Sequence, residues 1–491
     1  MVEHFELRRD IYHDSVVLMQ AGNHLRALDG IDQCLVAMAT DLNIQLLDDL
    51  GFESEPINSS STSGLIVAIR AESEDVISHA IRELEATLEA RATSGSADSE
   101  VHAHRSLGAA VREAQANLAI ISLPGPHVVP EAADALRRGA NVMVFSDGVS
   151  IEEERELKSL AASRNLLVMG PDCGTARLGG IGLGFCNDVS SGEIGIVAAS
   201  GTGAQHLIAL LDARGMGISN IIGVGGRDMS DDIGGKSVIQ GLRMLDEDPA
   251  TTHIVLISKP PGDKTARRVD EIVKSLKTPV TMGLLGDAGV DLTKVARDVA
   301  SARGMPFEAT RSELSGQAAA RGPLIGLFCG GTLATEARQI VGDALGPVDG
   351  LEAFETLAPA AIADHEGNAI LDLGDDRMTA GRPHPMIDAT IRREIIEALA
   401  GKPAPRLLFI DVVLGFCADA DPAGAIANAL HDFRRSHSEA RVIASVVGAT
   451  RDPQGLEAQW RTLADLGCDV YESNADAARA VAQALCGRAG G

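Results

Sequence analysis

Short runs of apolar, often β-branched residues alternate along the chain with longer stretches whose apolar residues recur at helical spacing. The runs at 118–123, 141–145 and 166–169 each end in a turn rich in Gly, Pro or Asp. Repeated βα units of this kind predict parallel sheets joined by right-handed crossovers. The pattern restarts at Ile194 and again at Leu324. We therefore predict an α/β protein of three doubly wound parallel-sheet domains.

The first 90 residues predict the opening part of the first domain. Runs at 14–20 (DSVVLMQ) and 33–40 (QCLVAMAT) predict strands with a helix between them, and 46–52 (LLDDLGF) closes a further helix. Later apolar runs predict the remaining strands, at residues 194–198, 253–258, 280–284, 324–328, 369–373, 407–413 and 442–447.

Two polar stretches interrupt this pattern, at 90–105 and 302–322. The second predicts a linker between domains, whereas the first also fits a surface loop within one domain. We expect domains at 1–190, 191–305 and 323–491, because 491 residues exceed what one compact domain usually holds.

Composition restricts the class of protein. Apolar residues make up 45% of the chain and aromatic residues 3%, so the cores rest on Ala, Val, Leu and Ile, as in parallel sheets covered by helices. The formal net charge of −26 argues against nucleic acid or an anionic membrane as a partner. The seven scattered cysteines, without a CxxC pair, favour reduced thiols over a zinc site. With no signal-like N-terminus and no long apolar stretch, we expect a cytoplasmic protein.

A glycine turn at Ser200-Gly201-Thr202-Gly203 is the leading candidate site. The run GIVAAS leads directly into it, and a predicted helix begins at Ala204. The free N–H groups and the dipole of such a helix favour an anion, and Ser200 and Thr202 add hydroxyl groups. The alternative is a tight turn with a Ser N-cap and no ligand.

Two further turns follow predicted strands, at the end where α/β proteins bind ligands. Gly225-Gly226-Arg227 follows the strand SNIIGV, and Arg227 is a candidate clamp for phosphate or carboxylate oxygens. Lys259 follows HIVLIS and is a candidate phosphate contact. In the alternative interpretation, Arg227 pairs with Asp228 on the surface and Lys259 is only solvated.

The third domain repeats the strand–glycine turn–helix arrangement at Gly330-Gly331-Thr332, which makes this turn a second candidate anion site. His206, by contrast, lies on the first turns of an apolar helix. A histidine in that setting serves packing more often than chemistry.

A dense polar segment at 373–388 carries Arg382 and His384. Prolines on both sides of His384 fix the backbone and prevent a helix, so this stiff loop is a site candidate. The alternative is a structural loop pinned by Arg–Asp pairs. The adjacent Asp375 and Asp376 are weak candidates for Mg²⁺ ligands.

Several motifs resemble known families. GPDCGTA, GIVAASGTGAQHLIALLDARG and IIGVGGRD resemble the α subunit of succinyl-CoA synthetase, in which the Ser-Gly-Thr unit holds phosphate. The GGT turn, LDLGDD and DVVLGFCAD resemble the carboxy-terminal ligase domain of its β subunit. SGTGAQ, GVGGRDMS, SKPPG, GGTLATEA, LGDD and GRPHPMID resemble FdrA proteins over nearly the whole chain. The resemblance implies a CoA-binding Rossmann-like domain with a family-specific N-terminal segment, followed by two flavodoxin-like CoA-ligase domains.

The chain departs from succinyl-CoA synthetase where that enzyme carries its phosphohistidine. The matching loop reads Gly286-Asp287-Ala288-Gly289, and Lys259 stands where the supporting Glu is expected. The chain also lacks an ATP-grasp domain and a clear CoA fingerprint near residue 20. Because a cation binds a phosphate group directly, these departures imply a substrate phosphate in place of one carried on the protein. An aspartyl phosphate at Asp287 stays an alternative.

The resemblance to FdrA implies a subunit of oxamate carbamoyltransferase in purine (allantoin) nitrogen catabolism, which interconverts oxalurate and phosphate with oxamate and carbamoyl phosphate. Lys259, Arg227 and Arg382 would neutralise these small anionic substrates, and His384 would transfer a proton. The resemblance also implies other carbamoyltransferase subunits and an oligomer, with CoA as an alternative ligand. Two alternatives stay open: an NDP-forming acyl-CoA synthetase, and a non-catalytic scaffold subunit of the same fold.

Overall fold

The computed structural model contains two compact units. The first comprises Met1–Ala103 and Thr379–Pro383, and the second comprises His104–Met378 and His384–Gly491. The residues that the structure describes are 1–9, 11, 15–26, 28, 30–39, 43, 44, 47, 50–52, 64–94, 106–286, 289–316, 323–379, 382–402 and 407–486.

The first unit is built around an antiparallel sheet with strand order β1-β3-β2. Its elements are, in chain order, β1 Val2–Arg9, α1 Ser15–Arg26, β2 Ile31–Met38, β3 Gly64–Ala71 and α2 Glu74–Ser94. Leu65, Val67 and Ile69 of β3 share one apolar cluster with residues of α1 and α2, whereas Ile66 and Ala68 lie in a second cluster. The central strand is therefore buried on both faces.

The prediction of a strand at 14–20 is wrong. Ser15–Arg26 forms a helix, because Leu18, Ala21 and Leu25 recur every three or four residues and make one buried face. The strand expected at 33–40 is confirmed as β2, and the helix expected at 46–52 lies largely outside the described residues. The opening segment thus contributes an antiparallel sheet.

The second unit contains three sheets and most of the helices. Its strands are β4 Leu118–Ile121, β5 Asn141–Val144, β6 Val168–Met169, β7 Thr175–Leu178, β8 Ile181–Gly184, β9 Ser191–Ala198, β10 Ile218–Gly223, β11 His253–Ser258, β12 Val280–Leu284, β13 Ser312–Glu313, β14 Leu324–Phe328, β15 Ala369–Asp372, β16 Leu407–Val413, β17 Val442–Val447 and β18 Asp469–Tyr471. Its helices are α3 Leu107–Ala114, α4 Gly125–Arg137, α5 Ile151–Ser163, α6 Gly201–Asp212, α7 Lys236–Glu247, α8 Asp263–Ser275, α9 Leu292–Ala302, α10 Gly331–Leu345, α11 Pro359–Asp364, α12 Asp376–Thr379, α13 Thr390–Ala400, α14 Gly424–Ser436, α15 Leu456–Asp465 and α16 Asn474–Cys486.

Parallel pairing dominates these sheets, as the βα pattern predicts. The sheet β4-β5-β6 is wholly parallel. The sheet β12-β11-β9-β10-β7-β8 adds an antiparallel hairpin, β7–β8, at one edge. The sheet β13-β18-β17-β16-β14-β15 adds the short antiparallel strand β13, which lies within the stretch expected as a linker. The α/β class with parallel-sheet domains is therefore confirmed.

The two six-stranded sheets share the same central topology. Strand β9 has β10 on one side and β11 on the other, and β14 likewise lies between β15 and β16. In each sheet the next strand is added on one side of this strand and the following one on its other side, so the strand order reverses at β9 and at β14. A crevice opens beyond the carboxyl end of such a strand, and α/β proteins bind ligands there. The turns after β9 and β14 therefore occupy the two ligand-binding positions of the fold.

Helices α6, α9, α10 and α16 share one apolar cluster with strands of both six-stranded sheets. Helix α6 is buried along its length, from Gly203 to Leu211, as expected for a helix that is apolar on nearly all sides. This packing holds the N-termini of α6 and α10 close to each other. Within the described part of the chain, no helix is both long enough and apolar enough to cross a membrane.

Candidate active site

The turns after β9 and β14 meet. Ser200 Oγ lies 2.5 Å from Thr332 Oγ1, which is a hydrogen-bond distance. A Cβ placed on Gly330 would lie 3.0 Å from Thr202 Oγ1, and one placed on Gly203 would lie 3.2 Å from Thr332 Cγ2. Glycine at both positions therefore allows the close approach. The structure brings the first turn of α6 and the first turn of α10 together.

The α6 turn has backbone donors without a partner. Ser200 is the N-cap of α6, and its hydroxyl accepts a hydrogen bond from the Gly203 N–H at 3.0 Å. No described residue accepts a hydrogen bond from the N–H groups of Ser200, Gly201 or Thr202. Open N–H groups at a helix N-terminus carry partial positive charge, so this turn is suited to an anion.

The α10 turn differs, because a protein carboxylate already occupies part of it. Asp411 of β16 accepts hydrogen bonds from the N–H groups of Cys329 at 2.8 Å and Gly330 at 2.9 Å. The buried Arg392 pairs with the same carboxylate at 2.7 Å. The first donors of this turn are therefore satisfied within the protein.

Asp372, the last residue of β15, faces the same turn. A Cβ placed on Gly331 would lie 2.3 Å from Asp372 Oδ2, so a side chain there would displace this carboxylate. Asp372 Oδ1 accepts a hydrogen bond from the Gly374 N–H at 2.9 Å. Burial raises the pKa of Asp372 to about 6, nearby carboxylates add to the rise, and the charge of Lys259 opposes it. This negative charge disfavours a phosphate at Gly331 and Thr332 relative to the α6 turn.

Lys259 follows β11 and is exposed at the same edge of the sheet as the α6 turn. The Ala199 N–H donates to Ile257 O at 2.8 Å, so the residues that follow β9 and β11 are neighbours. Burial raises the pKa of Asp172 to about 6, and the positive charge of Lys259 opposes that rise as it does at Asp372. The positive charge of Lys259 therefore stabilises negatively charged groups at this edge of the sheet.

Arg227 is held by different groups from those that the sequence suggested. Its Nη2 donates to Val149 O at 2.8 Å and lies 2.9 Å from Glu154 Oε2. Asp228 is buried and pairs with Lys158 at 2.7 Å. The interpretation of a surface pair between Arg227 and Asp228 is therefore wrong. Arg227 is fixed at the turn after β10 and stays partly open to solvent.

A buried charge cluster, which the sequence did not reveal, supports this turn. Lys158 Nζ donates to Glu154 at 2.7 Å, to Val224 O at 2.8 Å and to Asp228 at 2.7 Å. Lys158 and Glu154 belong to α5, whereas Val224 and Asp228 flank the turn that carries Arg227. The cluster thus ties α5 to that turn.

Gly225 and Gly226 have different surroundings. Gly225 has a φ of +82°, and a Cβ placed on it would lie 2.3 Å from Pro171 O, so close packing requires glycine there. A Cβ placed on Gly226 would meet only Ala199 O, at 4.0 Å. Gly226 therefore has room for a side chain and lies near Ala199, which precedes the α6 turn, whereas packing alone accounts for Gly225.

His384 lies beside Asp372. A Cβ placed on Gly374 would lie 2.6 Å from His384 Nε2 and 3.2 Å from Asp372 Oδ1, so the ring and the carboxylate flank the same glycine. His384 Nδ1 accepts a hydrogen bond from the Met386 N–H at 3.2 Å, which assigns the proton of the neutral ring to Nε2. Burial lowers the pKa of His384 to about 4. At neutral pH the ring is better suited to donate a hydrogen bond than to carry a proton.

Arg382 belongs to the first compact unit, where its N–H donates to Thr379 O at 2.9 Å, whereas the other described candidates belong to the second. Asp287 and Ala288 lie outside the described residues.

Asp172, which no sequence pattern marked as a site residue, interacts electrostatically with Lys259 and with the candidate metal ligand Asp376. Asp172, in the motif GPDCGTA, has its pKa raised by burial and further by Asp376 and Asp147. Asp375 instead pairs with Arg377 at 2.9 Å, which lowers its pKa. Across the described ranges, no group of three or more His, Cys, Asp or Glu residues is arranged to hold a metal ion.

A cavity of about 240 Å³ opens beside Thr332 and is lined in part by Lys259 and Glu336. The buried Glu336 carboxylate accepts hydrogen bonds from the Leu292 N–H and from Asn474 Nδ2, both at 2.7 Å. Burial raises the pKa of Glu336 to about 7. No local sequence pattern marks this glutamate, because its partners come from α9 and α16.

His206 serves packing, as expected. It is fully buried, and burial lowers its pKa to about 4. Its Nε2 accepts a hydrogen bond from the Asn474 N–H at 3.3 Å, which links α6 to α16.

The uncharacterized protein YahF of Escherichia coli (strain K12) is 34% identical to this chain over 507 residues, and the alignment covers 98% of each protein. The chain belongs to the YahF family. Within this YahF-family chain, residues 1–104 match a model described as "AllF, heavy metal-associated domain" and residues 327–484 match one described as "CoA-ligase". The first match coincides with the antiparallel unit, and the second covers most of the sheet that contains β14.

The described residues of the antiparallel unit do not fit a heavy-metal ion. Residues 1–104 contain one cysteine, Cys34. It is 2% exposed on β2, and burial raises the pKa of its thiol to about 11, whereas a metal ligand must be an accessible thiolate.

The YahF-family chain also matches the α subunits of CoA ligases. Succinate–CoA ligase [ADP-forming] subunit alpha 2 of Archaeoglobus fulgidus is 28% identical over 184 residues, which are 37% of this chain and 62% of that subunit. Malate–CoA ligase subunit alpha of Methylorubrum extorquens is 28% identical over 163 residues, 31% of this chain and 54% of that subunit. The chain thus spans less than two thirds of these subunits. It has a CoA-ligase-like fold, related to that of the succinate–CoA ligase α subunit.

Among solved structures, a dinucleotide-forming acetyl-coenzyme A synthetase 1 of Ca. Korarchaeum cryptofilum, in complex with phosphate and ADP, is similar to 75% of this chain. The match covers 82% of that chain at 17% identity, with a TM-score of 0.30.

Proposed function

We propose that this chain is a subunit of a carbamoyltransferase and binds the phosphate group of its substrate at the α6 turn. The observation that carries the proposal is the set of open N–H groups at Ser200, Gly201 and Thr202, at the start of a 12-residue helix. The turn lies at the switch point of its sheet, and Lys259 follows the neighbouring strand. Backbone donors, a helix dipole and a cation together suit a phosphate dianion.

The phosphate in this proposal belongs to a substrate and is not carried on the protein. The loop at 286–289, which resembles the phosphohistidine loop of succinyl-CoA synthetase, reads Gly-Asp-Ala-Gly. The Nδ1 of His384 is engaged by the Met386 N–H, so its Nε2 carries the ring proton. Neither nitrogen of that ring therefore offers a free lone pair to a phosphoryl group.

The proposed reaction is the phosphorolysis of oxalurate. An oxygen of hydrogen phosphate attacks the ureido carbonyl carbon and the C–N bond to oxamate breaks. The proton that hydrogen phosphate loses goes to the oxamate nitrogen. The chain holds the phosphate at the α6 turn, and neutral His384 donates a hydrogen bond to the carbonyl oxygen as negative charge develops. Arg227, fixed by Glu154, supplies charge for the substrate carboxylate. Other subunits complete the enzyme, so we expect an oligomer.

The test is phosphate-dependent breakdown of oxalurate by the complex reconstituted with this chain. Lys259→Ala is expected to lower the rate about tenfold at low phosphate, because it removes one charge-assisted contact. Lys277→Ala is the matched control, since Lys277 precedes β12 at the opposite end of the parallel strands. An unchanged rate in Lys259→Ala would contradict the phosphate role.

A second candidate is an NDP-forming acyl-CoA synthetase, which is favoured by the matches to the succinate–CoA and malate–CoA ligase α subunits. Radiolabelled ATP, or acyl-CoA with labelled phosphate, distinguishes the two. Acid-labile phosphate on the protein would support the synthetase, and its absence together with carbamoyl phosphate binding would support the transferase. Calorimetry that detects no binding of phosphate, carbamoyl phosphate or CoA would support a non-catalytic scaffold.

A further inference from the structure

Asp372 offers an open hydrogen-bond acceptor beside the proposed phosphate site. Its Oδ1 is occupied by the Gly374 N–H. Its Oδ2 accepts no hydrogen bond from a described residue and would lie 2.3 Å from a Cβ placed on Gly331. Gly331 precedes Thr332, whose hydroxyl lies 2.5 Å from Ser200 Oγ. The open oxygen is therefore adjacent to the contact that joins the two turns.

The two turns offer a ligand different groups: the α6 turn offers hydrogen-bond donors and the α10 turn a hydrogen-bond acceptor. The α6 turn offers N–H donors and has Lys259 beside it, whereas the α10 turn faces Asp372 and has its first N–H groups taken by Asp411. A carboxylate accepts hydrogen bonds and repels other anions and carbonyl oxygens. A ligand that spans both turns therefore needs a phosphate at one end and an N–H donor at the other.

We propose that Asp372 determines substrate specificity by accepting a hydrogen bond from the N–H of a carbamoyl or primary amide group. The inference rests on the proposed function, because the phosphate held at the α6 turn fixes the other end of the ligand. The substrate class is then carbamoyl phosphates and amide-bearing acids. Acyl phosphates with a methyl or methylene group in place of the amino group are selected against.

His384 completes this recognition. The Nε2–H of His384 and the carboxylate of Asp372 flank Gly374, so a donor and an acceptor stand side by side. A carbamoyl group has the complementary pair, a carbonyl oxygen and an amino group. An acyl group has only the carbonyl oxygen, so one partner of the protein pair is left unsatisfied.

Carbamoyl phosphate and acetyl phosphate test the inference on the full chain, because they share the phosphate and the carbonyl and differ only by amino against methyl. Calorimetry near neutral pH is expected to show about tenfold tighter binding of carbamoyl phosphate, the equivalent of one charge-assisted hydrogen bond. Oxamate and pyruvate form a second pair with the same difference.

Asp372→Asn keeps the shape of the side chain and removes the acceptor. Its carbonyl oxygen takes the Gly374 N–H, so its amino group replaces Oδ2 and meets the substrate N–H donor to donor. The preference for carbamoyl phosphate is expected to vanish while inorganic phosphate still binds. Glu366→Gln is the matched control, because it removes an exposed charge shortly before the same strand, β15, and is expected to keep the preference.

Equal binding of carbamoyl and acetyl phosphate by the unmodified chain would overturn the inference and requires no variant. A preference retained in Asp372→Asn would overturn it as well. The proposed function fails in a different way: the unmodified chain would then bind no inorganic phosphate. Bound phosphate without amide discrimination contradicts the role of Asp372 alone.

Discussion

Ser200 Oγ and Thr332 Oγ1 lie 2.5 Å apart, and this contact joins the N-termini of α6 and α10. Each residue follows the strand of its own six-stranded sheet at which the strand order reverses, β9 for Ser200 and β14 for Thr332. The two switch points, which in separate α/β domains would each open to solvent, therefore share one crevice. We propose that a single small ligand at this place contacts the donors of one turn and the carboxylate of the other.

Thr332→Val removes the hydroxyl of this contact and keeps the shape of the side chain. We expect a loss of about 1 kcal/mol in the free energy of unfolding, the usual value of one hydrogen bond. Ser200→Ala removes the helix cap as well and is expected to cost about 2 kcal/mol. Urea titrations of both variants and of the double variant measure the coupling, which we expect to be about 1 kcal/mol.

The control for this cycle is Thr335→Val, one turn further along α10. Thr335 Oγ1 donates only to Gly331 O at 2.8 Å, so its loss is local. Thr335→Val combined with Ser200→Ala should be additive. Additive effects of Thr332→Val and Ser200→Ala would show that the two hydroxyls do not interact.

Lys158→Met leaves two carboxylates, Glu154 and Asp228, buried without their cation. Removal of one partner from a buried ion pair costs about 3–5 kcal/mol, so we expect a large loss of stability in thermal or urea unfolding. Adding Glu154→Gln should restore part of it, because one buried charge then disappears. A double variant that is less stable than Lys158→Met alone would contradict this assignment of charges.

Glu336 gives the stability a defined pH dependence. The folded protein holds the Glu336 proton up to about pH 7, whereas an unfolded chain releases it near 4.5. Folded protein thus binds more protons between these values, and the contribution of Glu336 to stability falls as pH rises through the window, by about 3 kcal/mol.

Glu336→Gln removes this titration. The stability advantage of the unmodified protein over the variant should be largest near pH 5 and should shrink by about 3 kcal/mol near pH 8. His206 has a lowered pKa and gives the opposite slope in both proteins, so the difference between them isolates Glu336. Glu397→Gln, an exposed change, should show a constant difference. A constant difference for Glu336→Gln as well would refute the raised pKa.

The strands that form the crevice were predictable because both faces of each are buried. The runs at 253–258 and 407–413 are mostly apolar, are buried at every position, and match β11 and β16 residue for residue. The run at 14–20 is too short to distinguish period 2 from period 3.6. The helical spacing of its buried residues can be recognised only when the sequence up to Leu25 is included.

The turns at Ser200 and Gly330 were predictable from glycine after an apolar run, but their contact was not. Residues 132 positions apart leave no local pattern when they meet. The same holds for Asp372, Asp411 and Lys158, since only the tertiary packing decides that such charged side chains are buried and paired. The sequence therefore predicted the turns that supply the hydrogen-bond donors of the site, but it did not predict the carboxylates that supply its acceptors.

Gly201→Pro tests the phosphate site most directly. Gly201 is the first residue of α6, a position where proline is tolerated because its N–H has no helical partner. Ser200, with φ −157° and ψ 120°, already has the extended backbone that a residue before proline requires. Gly201→Ala is the matched control, since it adds the same Cβ, 3.1 Å from Thr175 Oγ1, and keeps the N–H.

Calorimetric titration of inorganic phosphate into the three proteins, each shown to be folded by its melting temperature, is the decisive measurement. We expect the unmodified chain and Gly201→Ala to bind phosphate with similar affinity. Gly201→Pro should bind about tenfold more weakly, because one charge-assisted donor is lost. A folded Gly201→Pro that binds phosphate as tightly as Gly201→Ala would contradict the assignment of the α6 turn as the phosphate site.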